Sequence, residues 1–381
     1  MSSRIRRLGA YVAIIKVVVL LVAIDYWVKG PFFGRYIVPR YVSPFVLVRD
    51  RTGGHNLRIM FDVLRRLPRA AIRVALIGDS TMNAADCVDQ MTIPYLVGSG
   101  VRRYLKREDV LTIDSSEIGM YASDAVLFIA KLLGTRTDVI VYGVSLREFP
   151  RETVSQYVSR ISDEMSLADL VRIVRAGGGR WLANNVDAQH LMTGLVKSNW
   201  ATYAYRTSLR EVAWDGTIRR LLGDQDLLAR LQPLPVEQRV QEAPRVKTGS
   251  PYEWTRAQYG MPSQNWAVLE LIGQLCHDYA PGRCVMYTGA INPLGREQLA
   301  EPGFYEEYLA RLRVVAGRYG LIWRDYTDTM TPADFKKPKY GGLRDPIHLN
   351  ETGRAKLAAL LVEPVSEALQ SVIAPPQRSK S

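Results

Sequence analysis

The stretch Ile72-Arg73-Val74-Ala75-Leu76-Ile77-Gly78-Asp79-Ser80-Thr81-Met82 decides how this chain is read. A near-continuous apolar run stops abruptly at Gly-Asp-Ser. Such a run fits a parallel strand covered on both faces, and Gly, Asp and Ser favour a sharp turn at its end. The segment from Met82 to Tyr95 reads as helical at its start. A serine between a strand's carboxyl end and a helix N-terminus lies where open α/β sheets bind ligands. Its hydroxyl is exposed there and its backbone N–H is free to meet an oxyanion. The bland alternative is that Ser80 only caps a helix.

A second stretch shifts that balance. Asp345-Pro346-Ile347-His348-Leu349-Asn350-Glu351-Thr352-Gly353 precedes a helix-like run, Arg354 to Leu369. A serine hydroxyl is a weak nucleophile near neutral pH, so it needs a base, and the base needs an orienting group. Asp345 and His348 share one turn and can serve as orienter and base for Ser80. The chain has four histidines, His55, His190, His277 and His348, and only His348 stands in an Asp-x-x-His before a terminal helix.

These residues resemble the SGNH (GDSL-like) hydrolase family. The resemblance makes Ser80, in Gly78-Asp79-Ser80, the nucleophile, and Asp345 and His348 the remainder of a triad. It implies an oxyanion hole built from the N–H groups of Ser80 and Gly119, the latter in Ser115-Ser116-Glu117-Ile118-Gly119. The family's Gly-x-Asn block falls on Gly143-Val144-Ser145, so Ser145 stands where an asparagine is expected. Either Ser145 or Asn292, in Gly289-Ala290-Ile291-Asn292-Pro293, completes the hole. The resemblance covers about residues 70–150 and 265–370. It implies no cofactor, and no Cys/His cluster has metal-ligand spacing.

The rest of the core follows the same alternation. Strands are expected at Ile72–Ile77, Val110–Ile113, Asp138–Tyr142, Cys284–Thr288 and Leu321–Arg324. Helices are expected at Ile93–Lys106, Tyr121–Leu133, Ser263–Tyr279 and Tyr305–Tyr319. Strands alternating with helices argue for a parallel sheet with right-handed crossovers, here a flavodoxin-like, doubly wound five-stranded α/β sandwich. Residues 71–150 and 263–372 form this domain. Residues 151–262 interrupt it as a mostly helical insertion. Glu152 to Val174 ends at Gly177-Gly178-Gly179, a second helical region ends near Leu222, and a Pro- and Gln-rich loop runs from Leu231 to Pro251. Trp181, Trp200, Tyr203, Tyr205 and Trp214 either pack a small helical core or stack on sugars. The insertion is a lid, a glycan-binding surface or a partner-docking element. Residues 373–381 form a disordered tail.

The N-terminus bears on compartment. Arg4, Arg6 and Arg7 precede an apolar run from Leu8 to Val28. About 21 helical residues rising ~1.5 Å each span ~30 Å, a bilayer core. Residues 1–30 therefore read as a cytoplasmic stub and an uncleaved transmembrane anchor, with Lys16 and Asp25 snorkelling or meeting a polar partner helix. The arginines leave the catalytic mass extracytoplasmic, or periplasmic, on a single-pass protein of the inner or plasma membrane. Residues 31–70 form the juxtamembrane segment. Trp27, Phe32, Phe33 and Tyr36 suit an interfacial belt, Pro39 and Pro44 break the chain, and Asn56–Leu67 reads as a short amphipathic helix.

Composition sets bounds on function. The chain has 381 residues, 47% of them hydrophobic, which is ample for a core. A formal charge of +12 suits anionic partners such as lipid headgroups or acidic glycans, or is merely a solvated basic surface. No nucleic-acid motif accompanies it. Of three cysteines, Cys276 and Cys284 are candidates for a disulfide in an oxidising compartment, with Cys87 left free. The resemblance and the anchor together imply O-acyl, chiefly acetyl, transfer to or removal from an envelope polysaccharide, beside a polytopic membrane acyltransferase partner. A lipid or small-ester hydrolase and a catalytically weak accessory protein of such a complex are the other two readings.

Overall fold

The computed structural model describes residues 2–37, 57–66, 71–82, 89–116, 119–150, 157–206, 209, 252–261, 263–295, 299–337 and 345–373. His55, Cys87, Pro39, Pro44, Trp214, the loop at 231–251 and the tail from Pro375 lie outside the described residues.

Strand β1 is Ile72–Ile77, with all six residues buried. β2 is Val110–Asp114, β3 Val139–Val144, β4 Cys284–Thr288 and β5 Ile322–Asp325. They form one sheet in the order β2-β1-β3-β4-β5, every pair parallel. This is the doubly wound, five-stranded arrangement expected from the alternation. Chain order reverses between β1 and β3, which opens a crevice beyond the carboxyl ends of those two strands.

Ile93–Leu105 and Glu351–Ile373 form helices that cover one face of the sheet, and Ala122–Leu133 and Gln264–Tyr279 form helices on the other. Side chains alternate along β1 accordingly. Val74 and Leu76 pack with Val97, Val101, Leu357 and Leu361. Ala75 and Ile77 pack with Phe128, Ile129, Ile272 and Leu275. Burial on both faces explains why β1 reads as a continuous apolar run without period-2 polarity. Arg73 is tolerated inside it because its guanidinium donates to the Thr135 carbonyl at 2.6 Å.

One local expectation changes and one falls largely outside the described residues. After Gly78 the chain makes a turn closed by Met82 N–H donating to the Asp79 carbonyl at 3.1 Å. Ser80 therefore lies in a turn just past the end of β1, and residues 83–88, where the helical start was expected, lie outside the described residues. The stretch Glu152–Val174 is not one helix: within it Tyr157–Ser162 and Leu167–Ile173 are separate, because Ser166 caps the second by accepting Asp169 N–H.

The described part of the insertion packs onto the core. Lys131, fully buried on the helix Ala122–Leu133, pairs with Asp169 at 2.9 Å and donates to the Glu164 carbonyl. Tyr205 is buried and donates to Asp62, while Trp200 stays 43% exposed and stacks on Tyr203. The insertion's described aromatics thus divide between a core and an open surface. The N-terminal helix Ser2–Trp27 meets it through Asp25, which accepts from the Thr202 backbone N–H at 2.8 Å. Among the described residues, no helix is long and apolar enough to cross a membrane. Cys276 and Cys284 are buried and not joined by a disulfide. Burial, and then the hydrogen bond with Cys276, push the Cys284 thiol well above its ordinary pKa.

Candidate active site

The site lies at the crevice between the ends of β1 and β3. Ile77 is in register with Tyr142, so Ser80 and Ser145 each stand three residues past a paired position. The two strand ends come close: a Cβ at Gly78 would meet the Gly143 carbonyl at 3.3 Å, and one at Gly143 would meet the Tyr287 hydroxyl at 2.7 Å. Glycine at 78 lets the end of β1 approach β3, and glycine at 143 leaves room for the Tyr287 side chain from β4.

Ser80 Oγ is 2.9 Å from His348 Nε2, and His348 Nδ1 is 2.8 Å from Asp345 Oδ2. These three residues come from sequence positions as far as 268 apart. Asp345 Oδ1 accepts two backbone N–H groups, from His348 at 2.8 Å and Ile347 at 3.0 Å. Burial works to raise the Asp345 carboxyl, but the bonds from the His348 ring, the His348 N–H and the Ile347 N–H outweigh it and hold its pKa to about 2. Asp345 is therefore a fixed anion near neutral pH, and it orders the imidazole with Nδ1 protonated and Nε2 free to accept from Ser80.

The acid–base loop is held from outside. Lys336 N–H donates to the His348 carbonyl at 2.9 Å, Asp345 N–H donates to the Lys336 carbonyl at 3.2 Å, and Phe335 bridges Leu349 in antiparallel fashion. Asn292 adds a third hold. Its backbone N–H donates to the Pro346 carbonyl at 2.8 Å, and its Nδ2 donates to the Asp345 carbonyl at 3.4 Å. Its Oδ1 accepts from Leu294 N–H at 3.1 Å. The buried Asn292 is thus engaged with the loop that carries Asp345.

The other residues expected at an oxyanion hole are arranged unevenly. Gly119 follows β2, beside β1, with φ +73°, a conformation that glycine adopts without strain. Ser145 follows β3, on the opposite side of β1. Its backbone N–H is taken by Glu148 Oε1 at 3.1 Å, which leaves its hydroxyl as the group to offer.

Glu148 is the residue sequence reasoning missed. It is fully buried, accepts Tyr142 O–H at 2.5 Å through Oε2, and holds Ser145 through Oε1. Burial first, and then the neighbouring Asp79 charge, push its carboxyl well above the ordinary range. Burial and the Glu148 charge likewise push the Tyr142 hydroxyl up. The Ser145-Leu146-Arg147-Glu148 spacing is a capping-box pattern and was the available signal. Asp79, also fully buried, accepts Thr81 N–H at 2.8 Å and so braces the nucleophile's turn.

The other described histidines lie in different settings: His190 pairs with Asp163 at 2.7 Å, and His277 Nδ1 is 3.4 Å from the Tyr319 carbonyl. No group of three or more metal-ligating side chains occurs among the described residues.

No protein-family model matches the chain, and no curated protein matches it. Among solved structures it is similar to LAE5, an α/β hydrolase enzyme from the metagenome of Lake Arreo, Spain. The identity is 11% and the TM-score 0.35, covering 78% of this chain and 97% of that one. It is also similar to CEX, a two-domain esterase active on acetylated mannans, solved alone and with mannopentaose. There the identity is 10% and the TM-score 0.34, and the chain spans about half of that protein, 54% and 55% of the two solved chains. Likeness at these scores adds nothing to what the geometry itself supports.

Proposed function

We propose that this protein is a serine acyl-ester enzyme of SGNH type in which Ser80, His348 and Asp345 act as nucleophile, base and orienter. One observation carries the reading: the unbroken hydrogen-bonded chain from Ser80 Oγ through His348 to an Asp345 anion, at the crevice beyond β1 and β3. Ser80 Oγ attacks an acyl carbonyl as its proton passes to His348 Nε2. The carbonyl oxygen becomes an oxyanion facing the N–H groups of Ser80 and Gly119 and the Ser145 hydroxyl. His348 then protonates the leaving alcohol, and the acyl group passes from Ser80 to water or to a sugar hydroxyl, with His348 again as base.

The substrate we assign is an O-acylated envelope polysaccharide, with the chain tethered through Leu8–Val28 and the site outside the membrane. Ile14, Ile15, Val18 and Leu21, exposed on the N-terminal helix among the described residues, support a tether. A hydroxyl in place of the family's asparagine favours a second reading, a slow enzyme that assists a membrane acyltransferase. Acetate release from 4-nitrophenyl acetate by the full chain and by Ser80→Ala tests the enzyme reading. Ser80-dependent turnover supports it, and equal rates in the two proteins overturn it.

A further inference from the structure

Arg147 stands out beside the nucleophile. Leu146, Glu148 and Phe149, its neighbours in the turn Leu146–Glu148 and just after it, are buried at 1% exposure or less, while the Arg147 side chain is 33% exposed. The turn is fastened by Glu148 holding Ser145 N–H, so the partly exposed Arg147 side chain rises from a fixed base. Its Nε lies 3.9 Å from Asp79 Oδ2, and Asp79 directly precedes Ser80.

That separation is beyond hydrogen-bond distance. Asp79 Oδ1 already accepts Thr81 N–H, and Asp79 Oδ2 makes no hydrogen bond. The Asp79 charge therefore keeps the guanidinium near the Ser80 turn without occupying its fork of donors. Such a fork matches a carboxylate or a phosphate in shape and charge. The segment beside the acid–base loop also carries lysines. Lys336 is bonded through its backbone to both His348 and Asp345, and Lys337 follows it, exposed. The net charge of +12 favours approach of an anion from a distance.

We infer that Arg147 forms an anion-recognising subsite beside Ser80, so that the acylated substrate carries a carboxylate or phosphate close to its ester. This rests on the Ser80 reading above and narrows it from acylated glycans in general to anionic ones. Uronate sugars and sugar or polyol phosphates offer the same chemistry to the fork.

The test uses the full chain carrying Ser80→Ala, so that bound ligand is not turned over. Binding of three oligomers of equal length is measured by calorimetry: oligogalacturonate, a glycerol-phosphate oligomer and neutral mannopentaose. The expected result is that at least one anionic oligomer binds and that rising salt weakens it. Adding Arg147→Gln should weaken it roughly 10–100-fold, the scale of one charge-assisted contact, and Arg147→Lys should restore part of the loss. Whichever anionic oligomer binds tighter identifies the group as carboxylate or phosphate. Neutral mannopentaose binding as tightly as both anions, or Arg147→Gln within twofold of its parent, overturns the subsite. In active protein, Arg147→Gln should lower the ratio of kcat/KM for acetylated oligogalacturonate over acetylated mannopentaose by about tenfold. Lack of any Ser80-dependent acetyl release removes the enzyme reading, and the binding experiment still decides the Arg147 subsite by itself.

Discussion

Asp345→Asn is the substitution whose effect follows most directly from the geometry. The carboxylate has two unequal sides. Oδ1 accepts two backbone N–H groups, from Ile347 and His348, whereas Oδ2 accepts the His348 ring. An asparagine must place its carbonyl oxygen where the two backbone donors are, because an NH2 group there would face N–H on N–H twice. Its NH2 then points at His348 Nδ1. That arrangement makes Nδ1 an acceptor and moves the ring proton to Nε2, facing Ser80 Oγ. The base now carries a proton where it needs a lone pair. The folded structure loses little, since all three hydrogen bonds persist with one reversed. The expected cost falls on kcat, by roughly 10⁴ or about 5.4 kcal/mol in the barrier, with KM nearly unchanged. Steady-state turnover of 4-nitrophenyl acetate, with circular dichroism to confirm folding, measures it. A loss of less than tenfold in a folded protein refutes the assignment of Asp345 as orienter.

Three further outcomes are expected. Glu148→Gln keeps an acceptor for Ser145 N–H and removes a buried acid whose folded pKa is raised. A raised acid binds its proton more tightly when folded, so the parent loses stability as pH rises above the unfolded value near 4.5. The variant should therefore melt higher than the parent at pH 8, with the gap closing at pH 4, and an equal gap at both pH values argues against a raised pKa. Gly143→Ala drives a methyl to within 2.7 Å of the buried Tyr287 hydroxyl and should cost about 1–3 kcal/mol by denaturant titration. An unchanged midpoint contradicts that close approach. Asn292→Ala should lower the melting temperature and kcat together, because the loop bearing Asp345 loses a hold. A fall in kcat of roughly 10²–10³ with unaltered melting identifies Asn292 instead as an oxyanion donor.

Much of this was legible in the sequence, for physical reasons that differ by element. β1 and β4 are legible to the residue because strands buried on both faces write unbroken apolar runs ending at turn residues. Asp345 and His348 are legible because both lie on one turn, so their mutual geometry is local. Their partnership with Ser80 was inferred from a serine's need for a base and from family resemblance, since sequence cannot measure a contact between residues 268 apart. The hold of Asn292 on the Asp345 loop was hidden because an amide reads alike as an oxyanion donor or a loop clamp, and its partners become visible only in the fold. Glu148 was hidden because acids read as solvated, and its burial depends on Tyr142 reaching it across the end of β3. The break between Tyr157–Ser162 and Leu167–Ile173 was hidden because Ser166 caps a helix inside a stretch whose apolar period runs on.

The central claim is that Ser80 is a nucleophile activated by His348. A serine-directed fluorophosphonate, applied to the full chain, tests it by covalent capture. Intact mass followed by peptide mapping should find one adduct, on Ser80, absent from Ser80→Ala and slowed at least a hundredfold in His348→Ala. A folded parent that takes no label, or takes it at another residue, contradicts the account.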